Sequence, residues 1–488
     1  MPDFLPDADL IALVALLVHA LLALTAAVMV STNRRPSAAI AWVLAIVFIP
    51  FLGALAFFLV GTGKLPQGRR DKQRIIDSQT VGATADPSGP GLRADSPAWL
   101  PSVAALNRKL GALPLVGGNR VTILAEYSGT LASMVEEIDQ ATDYVHVEFY
   151  ILARDETTKP FFAALQRATA RGVTVRVLSD HLAGLMGKSL NDTRDYLAEI
   201  GAEWHAMLPL RPLRGEWQRP DLRNHRKILV VDGRVAFTGS QNVIDASYNK
   251  PANIKRGLRW HDLMIRVEGP VVRELDAVFA ADWYSETDLI LPLREPPLVQ
   301  GSAAEFVDAQ VLPSGPTFDY ANNLKLYTAL VYKAERRVSI TSPYFVPDDS
   351  ILLAMVTAAD RGLEVELFVS EIGDQAMVYH AQRSYYEALL RAGVRIYLYP
   401  APKVLHAKHF TIDDDVAVIG SSNMDLRSFI LNMEVSVLVH GRELVTAMRR
   451  VEDGYRAESR ELQLEDWLER PVRQKVFDNL ARLTSSLQ

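Results

Sequence analysis

The 488-residue chain sets 52 Lys and Arg against 58 Asp and Glu, and a formal net charge of −6 argues against a protein built to grip nucleic acid along its length. It has no cysteine, which excludes disulfides, thiolate catalysis and thiolate metal sites. Hydrophobic residues at 49% and charged residues at 23% are ordinary for globular domains, and the length leaves room for two or three of them.

The apolar residues are unevenly spread. Residues 10–30 and 38–60 contain no Asp, Glu, Lys or Arg, and runs of 21 and 23 residues can each cross a hydrocarbon core of about 30 Å. A cleaved signal peptide fits the first run badly, because the leader holds Asp3, Asp7 and Asp9 and no basic residue. The expectation is a membrane-anchoring helical hairpin over 1–63. Arg34 and Arg35 lie between the runs, and Lys64, Arg69, Arg70, Lys72 and Arg74 follow the second. Two full spans put the tail on the N-terminal side, where five basic residues outvote two. A second run broken at Pro50 and Gly53, and re-entrant, collects all seven on the tail's side. Both readings place the rest of the chain in the cytoplasm.

Residues 64–100 read as a linker, since 80–91 is rich in turn formers and has little to bury. Beyond it the pattern is α/β. Residues 145–151 and 173–178 alternate as strands do, and between them Phe161, Leu165 and Ala168 share a helical face. The order returns about 190 residues later: 338–346 answers the first strand, and 358–368 answers 168–178. A period this long marks a duplicated domain. Two homologous lobes, 101–295 and 296–488, are expected, with a boundary at the Pro-rich stretch 292–297.

The repeat aligns the most polar strands of the chain. His225, Lys227 and Asp232 are followed by Gly239, Ser240 and Asn242; His406, Lys408 and Asp413 are followed by Gly420, Ser421 and Asn423. Residues two apart on a strand share a face, so each His points with its Lys. The Asp opens the turn of a hairpin, clearest at Asp232-Gly233. The returning strand then brings Ser and Asn, with free backbone N–H groups, to the same point. Imidazole, ammonium and amide together suit a tetrahedral anion, with one possible nucleophile among them. No metal site is expected, because Lys only donates and no carboxylate cluster is present. One such motif is easily an ordinary strand with a surface His and Lys; two copies at matching points of a repeat are not.

This paired His-Lys-Asp motif resembles the signature of the phospholipase D superfamily. The chain is more closely similar to bacterial cardiolipin synthases, through residues 35–42, 223–228, 314–316, 342–347 and 423–434, and so over nearly its whole length outside the linker. The resemblance implies an α/β fold of two homologous phospholipase D-type α/β/α lobes. They are related by a pseudo-two-fold axis, with the site between them, and preceded by a pair of transmembrane helices in a bacterial inner membrane. It implies a cofactor-free phosphatidyl transfer between two phosphatidylglycerol molecules, through a phosphatidyl-histidine. By this analogy His225 is the nucleophile and His406 the acid and base. Lys227, Lys408, Asn242 and Asn423 stabilise the phosphate charge, Ser240 and Ser421 assist there, and Asp232 and Asp413 complete the motifs. Position in the turn suits those two aspartates to fixing the hairpin better than to touching substrate. Glu434, eleven residues after Asn423, matches the family's histidine-orienting carboxylate; in the first lobe the nearest counterpart is Asp262, twenty residues after Asn242. A hydrolytic phospholipase D or a phosphatidylserine synthase would use the same residues, and a nuclease or a non-enzymatic membrane scaffold are the more distant alternatives.

Overall fold

The computed structural model describes the chain except for residues 1–7, 32–35, 50, 62–64, 66, 84–91, 186–189, 212, 214–218, 303–304, 319–320 and 484–488. It forms two compact units, residues 1–64 with 219–221 and residues 65–218 with 222–488.

In the first unit the apolar runs become α1 (Ala8–Ser31), α2 (Pro36–Phe48) and α3 (Leu52–Val60). The three pack on one another through Val30, Ile46 and Phe57. The second run is therefore not a single helix. At 13 and 9 residues, its halves fall short of about 30 Å at 1.5 Å per residue. The break falls beside Pro50, which with Arg34, Arg35 and Lys64 lies outside the described residues. Among the described residues no helix is long and apolar enough to cross a membrane.

The second unit holds both lobes. The first contributes β1 (Val116–Leu124), β2 (Tyr144–Phe149), β3 (Thr174–Asp180), β4 (Glu203–Met207), β5 (Lys227–Val231), β6 (Val235–Gly239), β7 (Arg259–His261) and β8 (Met264–Glu268). The second contributes β9 (Val307–Ser314), β10 (Arg337–Thr341), β11 (Phe345–Val346), β12 (Glu364–Ser370), β13 (Arg395–Tyr399) and β14 (Lys403–Leu405). It continues with β15 (His409–Ile412), β16 (Val416–Gly420), β17 (Met424–Asp425), β18 (Glu434–His440) and β19 (Arg460–Leu462).

One 15-stranded sheet runs through both lobes. From its middle it reads β1-β8-β6-β5-β2-β3-β4 in one direction and β9-β18-β16-β15-β10-β12-β13 in the other, where β19 adds an edge strand without a counterpart. Equivalent strands occupy equivalent places, so the pseudo-two-fold passes between β1 and β9, which pair antiparallel. Parallel neighbours need helical crossovers. Lys159–Ala170 joins β2 to β3 by burying Phe161, Phe162, Leu165 and Ala168, and Asp349–Asp360 joins β10 to β12. The repeat boundary at 292–297 does not separate two bodies: one hydrophobic core takes Val116, Ile265 and Leu275 from the first lobe and Val311, Val437 and Met448 from the second. Part of the expected linker is also structured. A helix α4 (Gln67–Ala83) lies on the buried helix Val271–Thr287, where Arg69 grips Glu286 with two hydrogen bonds of 2.7 Å.

Candidate active site

Each motif reaches its place through a tight hairpin. Asp232 accepts hydrogen bonds from the backbone N–H groups of Thr142, Asp143 and Tyr144, and Asp413 does the same for Glu335, Arg336 and Arg337. Both have left-handed backbones, with φ of 54° and 49°. These aspartates tie the hairpin turn to the start of β2 or β10, which corrects their catalytic assignment: their carboxylates are spent on backbone. The glycines that follow are required by close approach. A Cβ on Gly239 would lie within 2.4 Å of the Leu263 carbonyl.

The histidines sit just before β5 and β15, and each is fastened to the opposite lobe. The backbone N–H of His225 donates to the Met433 carbonyl, and that of His406 to the His261 carbonyl, both at 2.8 Å. The side chains cross in the same way. His225 Nδ1 faces Glu434 Oε2 at 3.0 Å and Oε1 at 3.1 Å, while His406 Nδ1 faces Asp262 Oδ1 at 2.6 Å. A carboxylate against Nδ1 fixes the proton there and leaves Nε2 as the reactive nitrogen. The first-lobe histidine thus depends on a second-lobe acid, and the reverse.

Ser240 and Ser421 are not phosphate ligands. The Ser240 hydroxyl donates to Asp262 at 2.7 Å and accepts from the Leu263 N–H; the Ser421 hydroxyl donates to Glu434 at 2.5 Å and accepts from the Val435 N–H. Both are fully buried, so they hold the carboxylates that hold the histidines. Asn242 is partly committed, its amide donating to the Tyr248 hydroxyl and its oxygen accepting from the Ile151 N–H. Asn423 differs: its Oδ1 is buried without a partner.

Lys227 and Lys408 each donate one hydrogen bond to the carbonyl of their own motif histidine, at 2.5 and 2.6 Å. Burial pulls Lys227 down to about 7 and Lys408 to about 8, and Lys408 lowers Lys227 further. Burial also holds His225 at about 4, outweighing the pull of Glu434 in the other direction, and it lowers His406. His225 is therefore neutral near pH 7, as attack through Nε2 requires. Burial works to raise Asp262, but His406 and Lys408 outweigh it and bring the acid to about 2; Glu434 is likewise held low against burial by His225 and Lys227. The two buried lysines are offset by the two ionised carboxylates behind the imidazoles. Among the described residues no three His, Asp or Glu gather as metal ligands would.

Three contributors escaped sequence reasoning. Tyr150 meets His225 edge-on at 4.9 Å between ring centroids, and Tyr248 meets His406 at 6.2 Å. Arg226, the middle residue of its motif, points to the other face. There it donates to the Glu434 backbone carbonyl at 3.0 Å and pairs with buried Asp282. Strand alternation could have separated Arg226 from its neighbours, but nothing local announced its target.

Residues 134–283 and 327–453 match the family described as "Cardiolipin synthase, PLD-like domain", and 12–61 match "Phospholipase_D-nuclease N-terminal". Cardiolipin synthase from Geobacillus kaustophilus (strain HTA426) is 32% identical over 465 residues, 93% of this chain and 90% of that protein. Cardiolipin synthase A from Edwardsiella ictaluri (strain 93-146) is 31% identical over 470 residues, 93% and 94% of the two chains. The crystal structure of phosphatidylserine synthase from Haemophilus influenzae Rd KW20 shares the fold, with a TM-score of 0.57 at 13% identity over 79% of this chain and 99% of that one. The family match covers more than half of the chain, its two segments fall on the two lobes, and each contains one His-Lys pair: the chain belongs to the cardiolipin synthase family of phospholipase D-like proteins.

Proposed function

We propose that the chain is a phosphatidyltransferase making cardiolipin from two molecules of phosphatidylglycerol. His225 Nε2 attacks phosphorus, the bond to the glycerol oxygen breaks, and His406, as the imidazolium that Asp262 supports, gives that oxygen its Nε2 proton. The phosphatidyl group is then on His225. A hydroxyl of the second phosphatidylglycerol, deprotonated by His406, attacks the same phosphorus and frees His225. Lys227, Lys408 and the amides of Asn242 and Asn423 offset the charge on the non-bridging oxygens, so no metal is needed. The observation that carries this reading is the pair of imidazoles, each with Nδ1 on a carboxylate of the other lobe and each beside a buried lysine.

Membrane attachment through the N-terminal unit is part of the proposal, with the lobes on the cytoplasmic side of a bacterial inner membrane. It is supported by α1, where the consecutive apolar residues 12–18 are all exposed, nearly two full turns with no polar stripe for water. A C-terminal alkaline phosphatase fusion should be inactive in intact cells.

Mass analysis of the products from purified enzyme and phosphatidylglycerol tests the chemistry. Equimolar cardiolipin and glycerol, formed equally well in EDTA, is the expected result. Phosphatidic acid as the main product, or full metal dependence, would overturn it.

A further inference from the structure

The C-terminal helix Val472–Arg482 is built inside out. Asp478 and Ala481 face inward at 1% exposure. Val472, Val476, Phe477, Leu480 and Leu483 face outward, between 49% and 78% exposed, with 472, 476, 480 and 483 stacked at helical spacing. Polar contacts hold this orientation. Asp478 takes His380 Nδ1 at 2.7 Å, Arg470 at 2.7 Å and Arg383 at 3.3 Å. Burying a carboxylate while exposing five apolar side chains is unfavourable in water. The helix also carries charge mostly of one sign. Arg473, Lys475 and Arg482 lie on the helix, and its single acid is the buried Asp478.

Beside the helix is a cavity of about 250 Å³, lined by its Gln474 together with Arg383, Arg460, Arg470, Glu371 and Asp466. Trp467 Nε1 is buried with no hydrogen-bond partner, and Arg460 is balanced by Glu371 at 3.0 Å. Ser370 and Tyr379 line both this cavity and the narrow pocket that contains His406.

We infer that Val472–Arg482 is an interfacial membrane helix, its apolar face in the outer acyl region of an anionic leaflet. The inference rests on the phospholipid reading of the site. An outward apolar face on a helix whose inner face is held by ion pairs matches a bilayer surface. The basic residues on the same helix complement anionic headgroups.

Because the chain has no cysteine, single-cysteine labelling of the full protein is clean. Val476→Cys and Leu480→Cys, carrying an environment-sensitive fluorophore in vesicles with phosphatidylglycerol, should be quenched by a nitroxide placed high on the lipid acyl chain. Glu156→Cys, on an 88% exposed side chain in the first lobe, should not be quenched. Quenching should weaken in phosphatidylcholine vesicles. Labels at 476 and 480 as open to aqueous iodide as the label at 156 would overturn the inference. So would disulfide cross-linking of Val476→Cys between copies, which would make a second chain the occupant. Quenching needs no turnover, so its failure is separate from a failure of the transferase reading. As a second readout, Val476→Asp with Leu480→Asp should slow transfer on bilayers about tenfold while sparing a short-chain monomeric phosphatidylglycerol; equal loss on both substrates would count against it.

Discussion

The two halves of the site carry the same His-x-Lys strand and the same Gly-Ser-x-Asn turn, yet they hold each other's histidines by different means. Glu434 brings both oxygens to His225 and is steadied by Ser421 and the Asn432 amide. Asp262 brings one oxygen to His406 at 2.6 Å, and its other oxygen is buried without a partner. The approach to the acids differs as well. Between Asn242 and Asp262 the first lobe inserts a helix, Pro251–Arg256, and β7, which crosses to pair in parallel with β14 and delivers the His261 carbonyl to His406. Between Asn423 and Glu434 the second lobe has only β17 and the short helix Leu426–Ile430. After duplication, then, the halves kept the donors for phosphate and diverged in how the carboxylates arrive. The crossed pairs also make each lobe an incomplete site by itself.

The histidines should differ most sharply. His225→Ala and His406→Ala should each lower turnover of phosphatidylglycerol at least about 10²-fold, the lower bound for losing one acid or base. A phosphatidyl ester of p-nitrophenol, whose leaving group needs no proton, should restore release of p-nitrophenol in His406→Ala and not in His225→Ala. Equal rescue of both would remove the distinction between nucleophile and acid.

Next come the acids. Glu434→Gln and Asp262→Asn, which keep shape and lose charge, should each cost about 10²–10⁴-fold in kcat. The crossed geometry adds a pattern: Glu434→Gln should be non-additive with His225→Ala, and Asp262→Asn with His406→Ala. Non-additivity confined to pairs within one lobe would contradict it.

The pH dependence of kcat/KM should show both limbs displaced. Below about 4, His225 takes a proton and loses its lone pair; on the alkaline side His406, which burial lowers, loses the proton it must give, and above about 7 to 8 Lys227 and then Lys408 lose theirs and stop offsetting phosphate charge. The rate should therefore fall on both sides of that window. An alkaline limb in the ordinary lysine range, near 10.5, would mean the lysines are not buried as described.

Smaller effects should come from the supports. Ser240→Ala removes one hydrogen bond to an ionised carboxylate, worth about 1.5–3 kcal/mol, and should lower kcat about tenfold or more with KM unchanged. A rise in KM alone would return Ser240 to phosphate binding. Asp413→Asn should cost about 2 kcal/mol of stability, read as a lower Tm, with activity per folded molecule intact.

What the sequence disclosed follows from the range of each interaction. Local ones were legible: period-two spacing of His and Lys, the Asp-opened hairpin turn and the internal repeat all lead to the observed strands. Ser240 and Ser421 were misplaced because a hydroxyl in a phosphate-binding turn looks available, whereas β8 and β18 come close enough to consume it. The crossing of Glu434 and Asp262 depends on the seam between lobes, which no spacing within one lobe reports. Residues 67–83 looked like linker because their burial is amphipathic and ionic, centred on Arg69 and Glu286, whereas Pro50 and Gly53 had already marked the break between α2 and α3 as one of two readings of the run 38–60.

The most direct measurement is an acid quench of His406→Ala with the p-nitrophenyl phosphatidyl ester, followed by peptide mass spectrometry. This variant lacks the base for the second step, so the phosphatidyl group should remain on the enzyme, on His225, at close to one group per chain. Label on any residue other than a motif histidine, or prompt release of p-nitrophenol with no labelled protein, would contradict a covalent phosphatidyl-histidine held between the two lobes.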